Sequence, residues 1–165
     1  MKRIDKIQIV RHTDTDPDSD LSFLGTYSNT PGPDDKTIDR QARGDMERSE
    51  YRYFVAANSA KDTGNPQSVD QDYARMEAYN HQGWCMMGVS AQAIVETSDD
   101  GKTWTRQLVK SGGLWGIESD SDASYFREVA EEQLATLTPI LVEFGFTDAE
   151  ITAAHPASLD PIDEQ

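Results

Sequence analysis

Four aspartates alternate with other residues near the start of the chain, in the stretch DTDPDSD. Carboxylate oxygens at alternate positions are the ligands that a calcium loop supplies. An EF-hand loop also needs glycine at its sixth position and glutamate at its twelfth, and counting from Asp14 these positions hold Ser19 and Gly25. The EF-hand motif therefore fails. The stretch predicts either an exposed acidic loop or a weak divalent-cation site at Asp14, Asp16 and Asp18.

A second acidic stretch, SGGLWGIESDSD, begins with two glycines and a tryptophan. Gly112 and Gly113 lack the lysine and the spacing of a phosphate-binding P-loop. We expect them to allow a bulge or tight turn that points Trp115 toward the core. Gly116 is predicted to be a structural residue of the same motif. The acids that follow are expected at the first turn of a helix, where carboxylates accept unpaired amides and face the positive end of the helix dipole. These acids are Glu118, Asp120 and Asp122.

Residue types that carry nucleophilic or metal chemistry are scattered along the chain. His12, His81 and His155 are far apart and none begins an HxxxH pair, so the sequence gives no support for a zinc site. Ser90, in GVSAQ, lacks the second glycine of a nucleophile elbow and lies in a predicted strand as an ordinary face residue. Cys85 is expected to be a small, buried and unreactive side chain. The sequence therefore predicts no catalytic residue and no cofactor.

Charge is the most pronounced feature of the composition, since 30 acids face 15 bases and the net charge is −15. Residues 116–165 hold 12 acids and one base, Arg127, for a net charge of −11, which leaves −4 for residues 1–115. Direct binding to nucleic acid or to a membrane surface is disfavoured, because lysine and arginine drive both. A basic protein surface, or the basic groove of a nucleic-acid-binding protein, is the complement that such a segment attracts.

The same acidity also fits a cytosol of high salt. Aspartate outnumbers glutamate 19 to 11, and six lysines stand against nine arginines. Concentrated salt screens the self-repulsion of such a surface, while the charge keeps the protein dissolved. Both explanations of the charge stay open at this point.

Hydrophobic periodicity predicts the secondary structure. Alternating apolar residues predict strands at residues 6–12, 21–28, 51–56, 84–97 and 103–110. A helix is predicted at 68–80, with Ser68 and Gln71 as a capping box. Apolar residues at three- and four-residue steps predict a long helix at 122–144, which Pro139 should kink or break. The stretch TDAE then opens a short helix.

Together these elements predict an α+β fold. Its core is an antiparallel sheet of four to five strands, covered by one long C-terminal helix and a shorter helix. Residues 1–155 are predicted to form a single domain, and residues 156–165 a flexible tail.

The N-terminal stretch MKRIDKIQIVRH contains basic residues but no long apolar segment. We therefore expect neither a signal peptide nor a membrane span. Cys85 is the one cysteine, so nothing favours an oxidising compartment. The sequence predicts a cytoplasmic protein.

Four stretches occur in the order IDRQARGD, EYRYF, QDYARMEAYNHQGW and SGGLWGIESDSD. The combination resembles a family of small acidic proteins of bacteria, archaea, phages and plasmids. The likeness extends over residues 4–145, and SGGLWGIESDSD is its most specific stretch. The resemblance implies a mobile-element context, in which small acidic proteins occupy a host nuclease or defence complex, as anti-restriction and anti-CRISPR proteins do. It implies no catalytic residue.

These observations favour a non-enzymatic binding protein, whose acidic C-terminal helices would engage a basic surface as a nucleic-acid mimic that blocks a defence nuclease. The predicted partner-binding residues are Glu118, Asp120, Asp122, Glu128, Glu131 and Glu132. We expect Glu128, Glu131 and Glu132 to lie on the solvent side of the long helix. One alternative is a small metal-binding protein or enzyme that uses Asp14, Asp16 and Asp18, or Glu118 and Asp120. Another is a housekeeping domain of a high-salt cytosol.

Overall fold

The computed structural model describes residues 1–15, 19–46 and 50–164. The chain divides into two compact units. The first, here the terminal unit, consists of Met1–Thr15 and Cys85–Gln165, and the second, here the middle unit, is Asp16–Trp84. That residues 1–155 behave as one domain stays a prediction.

The described residues form eight strands and five α-helices. In chain order the strands are β1 (Lys2–Thr13), β2 (Gly25–Ser28), β3 (Thr37–Asp39), β4 (Tyr53–Ala56), β5 (Met86–Thr97), β6 (Thr105–Lys110), β7 (Leu114–Glu118) and β8 (Ile162–Asp163). The helices are α1 (Arg40–Arg43), α2 (Ala60–Thr63), α3 (Ser68–Asn80), α4 (Ala123–Glu143) and α5 (Asp148–Ala153). The α+β class that periodicity predicts is therefore confirmed.

The terminal unit contains a five-stranded sheet in the order β6-β5-β1-β8, with β7 paired to the other end of β5. The pairs of β5 with β1, β6 and β7 are antiparallel, but β8 runs parallel to β1. The prediction of a purely antiparallel sheet is thus wrong, because the sheet is mixed. Two helices separate β8 from the other strands, so no tight turn forces it to run antiparallel to its neighbour.

The core of the terminal unit lies between α4 and one face of this sheet. Side chains at alternate positions of β1 and β5 supply the sheet side, and a stripe along α4 supplies the other. The sheet residues are Ile7, Ile9, Val89, Ala91, Ala93 and Val95, and the α4 residues are Phe126, Val129, Ala130, Leu134, Leu137 and Leu141. The predicted covering role of the long helix is therefore confirmed.

Two details of α4 differ from the sequence prediction. The helical spacing predicts Phe144 in the apolar stripe, but its side chain is exposed. Phe146 is buried instead, after the chain turns back at the end of the helix. Pro139 does not end α4, which continues to Glu143. A proline removes the hydrogen bond to the carbonyl four residues earlier, here that of Ala135. Both positions are exposed, so water can replace that bond.

The middle unit contains the antiparallel sheet β2-β4-β3, against which α3 lies. Phe54 of β4 and the α3 residues Tyr73 and Met76 are buried there. The predicted capping box of α3 is wrong, because Ser68 is the first helical residue and its buried hydroxyl makes no hydrogen bond. The box predicted from TDAE is confirmed, since Thr147 and Glu150 exchange both capping hydrogen bonds at α5.

Residues 156–165, predicted as a tail, contribute β8 to the sheet. Val10 and Arg11 of β1 pair with Ile162 and Asp163, and the amide of Glu164 donates to the carbonyl of Arg11. Arg11 also forms an ion pair with Asp163 at 2.7 Å. Backbone pairing and side-chain charge together attach this segment to the edge of β1.

Candidate functional site

Three glutamates lie on the exposed side of α4, opposite its buried stripe: Glu128, Glu131 and Glu132. They are three and four positions apart, so their side chains share one helix surface. The prediction that these glutamates face solvent is confirmed.

The acids before α4 lie close by but do not cap the helix as predicted. Asp122 is the residue that precedes the first turn, and its side chain accepts no capping hydrogen bond. Glu118 ends β7, where it is half-buried, and Asp120 is exposed in the turn that follows. Ser119 accepts a hydrogen bond from the amide of Cys85 at 3.0 Å, so it extends the sheet instead of starting the helix.

The charges of this surface are largely uncompensated. Arg127, the one base after Gly116, pairs with Asp160 at 2.8 Å. Within the described part of the chain no ion pair engages four carboxylates, which we call the α4 acidic surface: Asp122, Glu128, Glu131 and Glu132. Like charges three or four positions apart on a helix cost roughly 0.2–0.5 kcal/mol per pair. Repulsion among Glu128, Glu131 and Glu132 therefore opposes folding slightly, and of the four carboxylates only Asp122 is at the helix N-terminus, where the dipole favours a negative charge.

The SGGLWGIESDSD stretch forms β7 and its flanking turns. Its Leu114 and Ile117 pair with Val89 and Met87 of β5, and the register shifts between these two pairs. The predicted bulge is present, but it turns Trp115 away from the α4 side of the sheet. Trp115 is 51 % exposed, so its predicted place in the core is wrong.

Trp115 instead lies over Gly88 and His12. Its ring stacks on the imidazole of His12 with centroids 5.6 Å apart and an interplanar angle of 29°. A Cβ at Gly88 would lie 2.7 Å from Cδ2 and Cζ3 of Trp115 and closer still to Cε3, so only glycine leaves room for this packing. Gly88 and His12 are register partners on β5 and β1, which explains why one indole covers both.

His12 is the centre of a hydrogen-bond network that the sequence did not predict. Its Nε2 lies 2.8 Å from Oγ of Ser90, and its Nδ1 lies 2.8 Å from Oε2 of Glu164. Gln92 donates from Nε2 to the same Oγ at 3.3 Å. His12, Ser90 and Gln92 are all buried, and no sequence motif links these positions with Glu164.

The proton positions in this network follow from the partners. A carboxylate only accepts hydrogen bonds, so Nδ1 of His12 carries a proton and donates the hydrogen bond to Glu164. In the neutral ring Nε2 then accepts, from the hydroxyl of Ser90 at 2.8 Å and more weakly from the amide of Gln92 at 3.4 Å. The imidazole also holds the pKa of the Glu164 carboxyl below its usual range.

A groove of about 240 Å³ adjoins this network on the same side of the sheet. Gln92 and Glu164 line it, as do Lys6 of β1 and Lys110 of β6. The two lysines make no ion pair in the portion of the chain that the structure describes. Val10, Leu108 and Ile162 add apolar wall.

The middle unit has a separate polar cluster around Arg40, which is only 2 % exposed. Its guanidinium donates to Glu50 at 2.6 Å, to the carbonyl of Tyr51 at 2.8 Å and to the hydroxyl of Tyr73 at 3.1 Å. Glu77 lies 3.5 Å from the same group and also accepts from the hydroxyl of Tyr27. Burial, followed by the carboxylate of Glu77, raises the pKa of Tyr27.

The stretches IDRQARGD, EYRYF and QDYARMEAYNHQGW meet at this cluster. IDRQARGD supplies Arg40, EYRYF supplies Glu50 and Tyr51, and QDYARMEAYNHQGW supplies Tyr73 and Glu77. The guanidinium makes four hydrogen bonds to partners of its own chain, so the cluster holds β3, β4 and α3 together. Its geometry indicates a structural role.

The loop acids form no site that the structure describes. Asp16 and Asp18 lie outside the described residues, so the metal prediction at Asp14, Asp16 and Asp18 stays a prediction. Asp20 accepts a hydrogen bond from the amide of Ser22 at 2.9 Å, which is a local turn contact. Within residues 1–15, 19–46 and 50–164, no three side chains of His, Cys, Asp or Glu are grouped to hold a metal ion.

Comparisons of the chain with models of known families, with curated proteins and with solved structures found no match in any of the three. In the described residues, no helix combines the length and the apolar character that crossing a membrane requires. The site assignments therefore rest on geometry alone.

Proposed function

We propose that this chain is an acidic binding protein whose α4 acidic surface engages a basic surface on a partner protein. One observation carries the proposal: exposed carboxylates are grouped on one side of α4, and no ion pair engages them within the residues that the structure describes. Complementary charge directs association and favours partners of opposite sign. No chemical step at this surface is required.

The extent of the surface narrows the class of partner. Asp122 and Glu132 are ten residues apart, a span of about 15 Å along a helix. Duplex DNA carries about nine phosphates over that length, at one charge per 1.7 Å, against four carboxylates here. The surface therefore fits a local cluster of lysine and arginine and does not imitate a whole duplex.

The family resemblance connects this surface with defence systems. Small acidic proteins of mobile elements act on host nucleases, and a nuclease exposes basic residues where it grips DNA. We propose that the partner is a nuclease complex of a restriction or CRISPR system, with the α4 acidic surface covering part of its DNA-binding site. Adaptation to a high-salt cytosol is the competing explanation of the acidic surface, because it requires the negative charge but no particular partner.

Charge reversal of Glu128, Glu131 and Glu132 to lysine tests this proposal. Purified restriction and CRISPR nuclease complexes, each loaded with fluorescein-labelled duplex DNA, are titrated with the protein while anisotropy reports DNA release. Wild type is expected to displace DNA from its target complex. The triple variant should need about tenfold or more protein, because three attractive contacts become repulsive. Unfolding in urea should change by less than about 1 kcal/mol, since all three sites are exposed.

The matched control reverses three exposed acids elsewhere: Asp34, Asp35 and Asp99 to lysine. It makes the same change in net charge and should displace DNA as well as wild type does. Equal weakening of both variants would show that net charge alone matters. Failure of the wild type on every complex, or measurable affinity of the wild type for the DNA itself, would refute the proposal.

A further inference from the structure

Ser90, His12 and Glu164 form a hydrogen-bonded row on the sheet face opposite α4. The two heavy-atom distances along the row are both 2.8 Å. A hydroxyl within reach of an imidazole that a carboxylate orients is the arrangement that activates a serine nucleophile. The proton positions argued above already give His12 the tautomer of a general base, with Nε2 free to take the Ser90 proton.

Gln92 supplies the donor that an acyl-transfer site needs. Its Nε2 lies 3.3 Å from Oγ of Ser90, and the side chain is 5 % exposed. When Oγ attacks a carbonyl group, negative charge develops on the carbonyl oxygen beside it. The Gln92 amide donates to Oγ itself, so it would have to shift its donation to the adjacent carbonyl oxygen, where a buried amide stabilises the charge more than water does.

The glycine-rich part of SGGLWGIESDSD covers this row. A Cβ built at Gly113 would lie 3.6 Å from Cβ of Ser90 and 3.1 Å from Nε1 of Trp115, so both side chains border Gly113. Ser90 is 3 % exposed, whereas Trp115 is half exposed and stacks on His12. Trp115 is thus the exposed side chain in contact with the row, and the proposal requires that its displacement opens Ser90 to a ligand.

The adjoining groove indicates the charge of that ligand. Asp163 on its wall is neutralised by Arg11, and Glu164 is opposed by the two lysines, Lys6 and Lys110. The balance favours an anion. A volume of about 240 Å³ equals about eight waters at 30 Å³ each, which is room for a short chain with a terminal carboxylate.

We infer that Ser90 is a nucleophile, with His12 as its general base, Glu164 as a positioning residue and Gln92 as the oxyanion donor. The substrate class is an ester whose short acyl group ends in a carboxylate. This site is independent of the α4 acidic surface, since the two lie on opposite faces of the sheet.

The chemistry is a double displacement. Oγ of Ser90 bonds to the ester carbonyl carbon while its proton passes to Nε2 of His12. The bond to the alcohol oxygen then breaks, and His12 returns the proton to that oxygen. Water repeats the attack on the acyl-serine with His12 as base, which releases the carboxylic acid and restores the hydroxyl.

Covalent labelling with diisopropyl fluorophosphate tests the nucleophile. The probe forms a bond from Oγ to phosphorus with loss of fluoride, and intact mass with peptide mapping locates it. Wild type is expected to carry the adduct on Ser90, and W115A to form it about tenfold faster, because the cover is gone. S90A should form none, and E164Q should react about a hundredfold more slowly.

Two controls separate activation from structure. S98A removes another buried serine, hydrogen-bonded to Asp100, and should leave the labelling rate unchanged. H12A should lose labelling and recover it when free imidazole is added, which a merely structural histidine would not do. No adduct in wild type or W115A at millimolar probe would overturn the inference. Labelling that survives H12A or E164Q unchanged would overturn it equally.

The substrate class has its own measurement. Hydrolysis of mono(4-nitrophenyl) glutarate, which carries the carboxylate, is compared with that of 4-nitrophenyl acetate. We expect kcat/KM to be about tenfold higher for the glutarate, and the K6Q/K110Q variant to lose this preference through a lower kcat/KM on the glutarate. Equal rates for both esters in wild type would refute the anion preference.

Discussion

Replacement of Arg40 by methionine is expected to lower the free energy of unfolding by about 3 kcal/mol or more, because it breaks a buried, hydrogen-bonded ion pair from one side. The guanidinium is 2 % exposed and is the common partner of Glu50, Tyr51 and Tyr73. Methionine fills similar space but removes the guanidinium that the carboxylates of Glu50 and Glu77 both contact. Urea denaturation followed by circular dichroism gives the measurement.

Arg43→Met is the matched control for this prediction. Arg43 lies on the same short helix, its side chain is 45 % exposed, and it pairs with Asp70. An exposed pair of this kind contributes at most about 1 kcal/mol. A loss at Arg40 no larger than the loss at Arg43 would show that the cluster does not hold the middle unit together.

Replacement of Gly25 by alanine is expected to cost about 3 kcal/mol or more, from a strained backbone angle and a steric clash together. Gly25 has φ +148°, and a Cβ there would lie 2.7 Å from Cζ of Phe54 and 2.9 Å from Cα of Ala56, and closer still to the carbonyl oxygen of Val55. The clash is with the backbone of the paired strand β4, which cannot move aside without breaking the sheet. Urea denaturation measures the cost, and amide exchange at Val55 and Ala56 should quicken.

Gly64→Ala isolates the conformational part of that cost. Gly64 has φ +69°, but nothing lies within 4 Å of an added Cβ. Its replacement is expected to cost about 1–2 kcal/mol, the usual penalty of a left-handed conformation for a residue with a side chain. Similar losses at both glycines would mean that β2 and β4 are less closely paired than the geometry requires.

The Ser90 site and the α4 acidic surface lie on opposite sides of the sheet of the terminal unit. The labelling of Ser90 and the inhibition of a nuclease can therefore be tested independently. The E128K/E131K/E132K variant should retain Ser90 labelling, because α4 faces the other side. S90A should retain nuclease inhibition for the same reason. A variant that abolished both activities while remaining folded would contradict the two-site interpretation.

Several elements could be predicted from sequence because their signal is local. The apolar stripe of α4 repeats at helical spacing, and its charged side follows from the same period, so the exposure of Glu128, Glu131 and Glu132 was predictable. The capping box at Thr147 and Glu150 depends on residues three apart and was predictable too. The alternation of β5 predicts which of its side chains face α4, although the opposite face of this strand is buried as well.

Other features depend on which strands become neighbours, and short-range pattern does not contain that information. Trp115 was predicted in the core, but the register shift between β5 and β7 places it on the opposite face. The sequence predicts Ser90 as an ordinary strand residue, because nothing near it in the chain indicates a catalytic role. The pairing of β5 with β1 brings His12 beside Ser90, and the pairing of β8 with β1 brings Glu164 beside His12.

The amino-acid order alone therefore determined the class of fold, the long covering helix and the acidic side of that helix, because each arises from periodicity within one element. Tertiary structure decided which distant side chains meet. The parallel placement of β8, the surroundings of Arg40 and the row of Ser90, His12 and Glu164 all join residues dozens of positions apart. Contacts of that range are selected by packing of whole elements, and no local spacing encodes them.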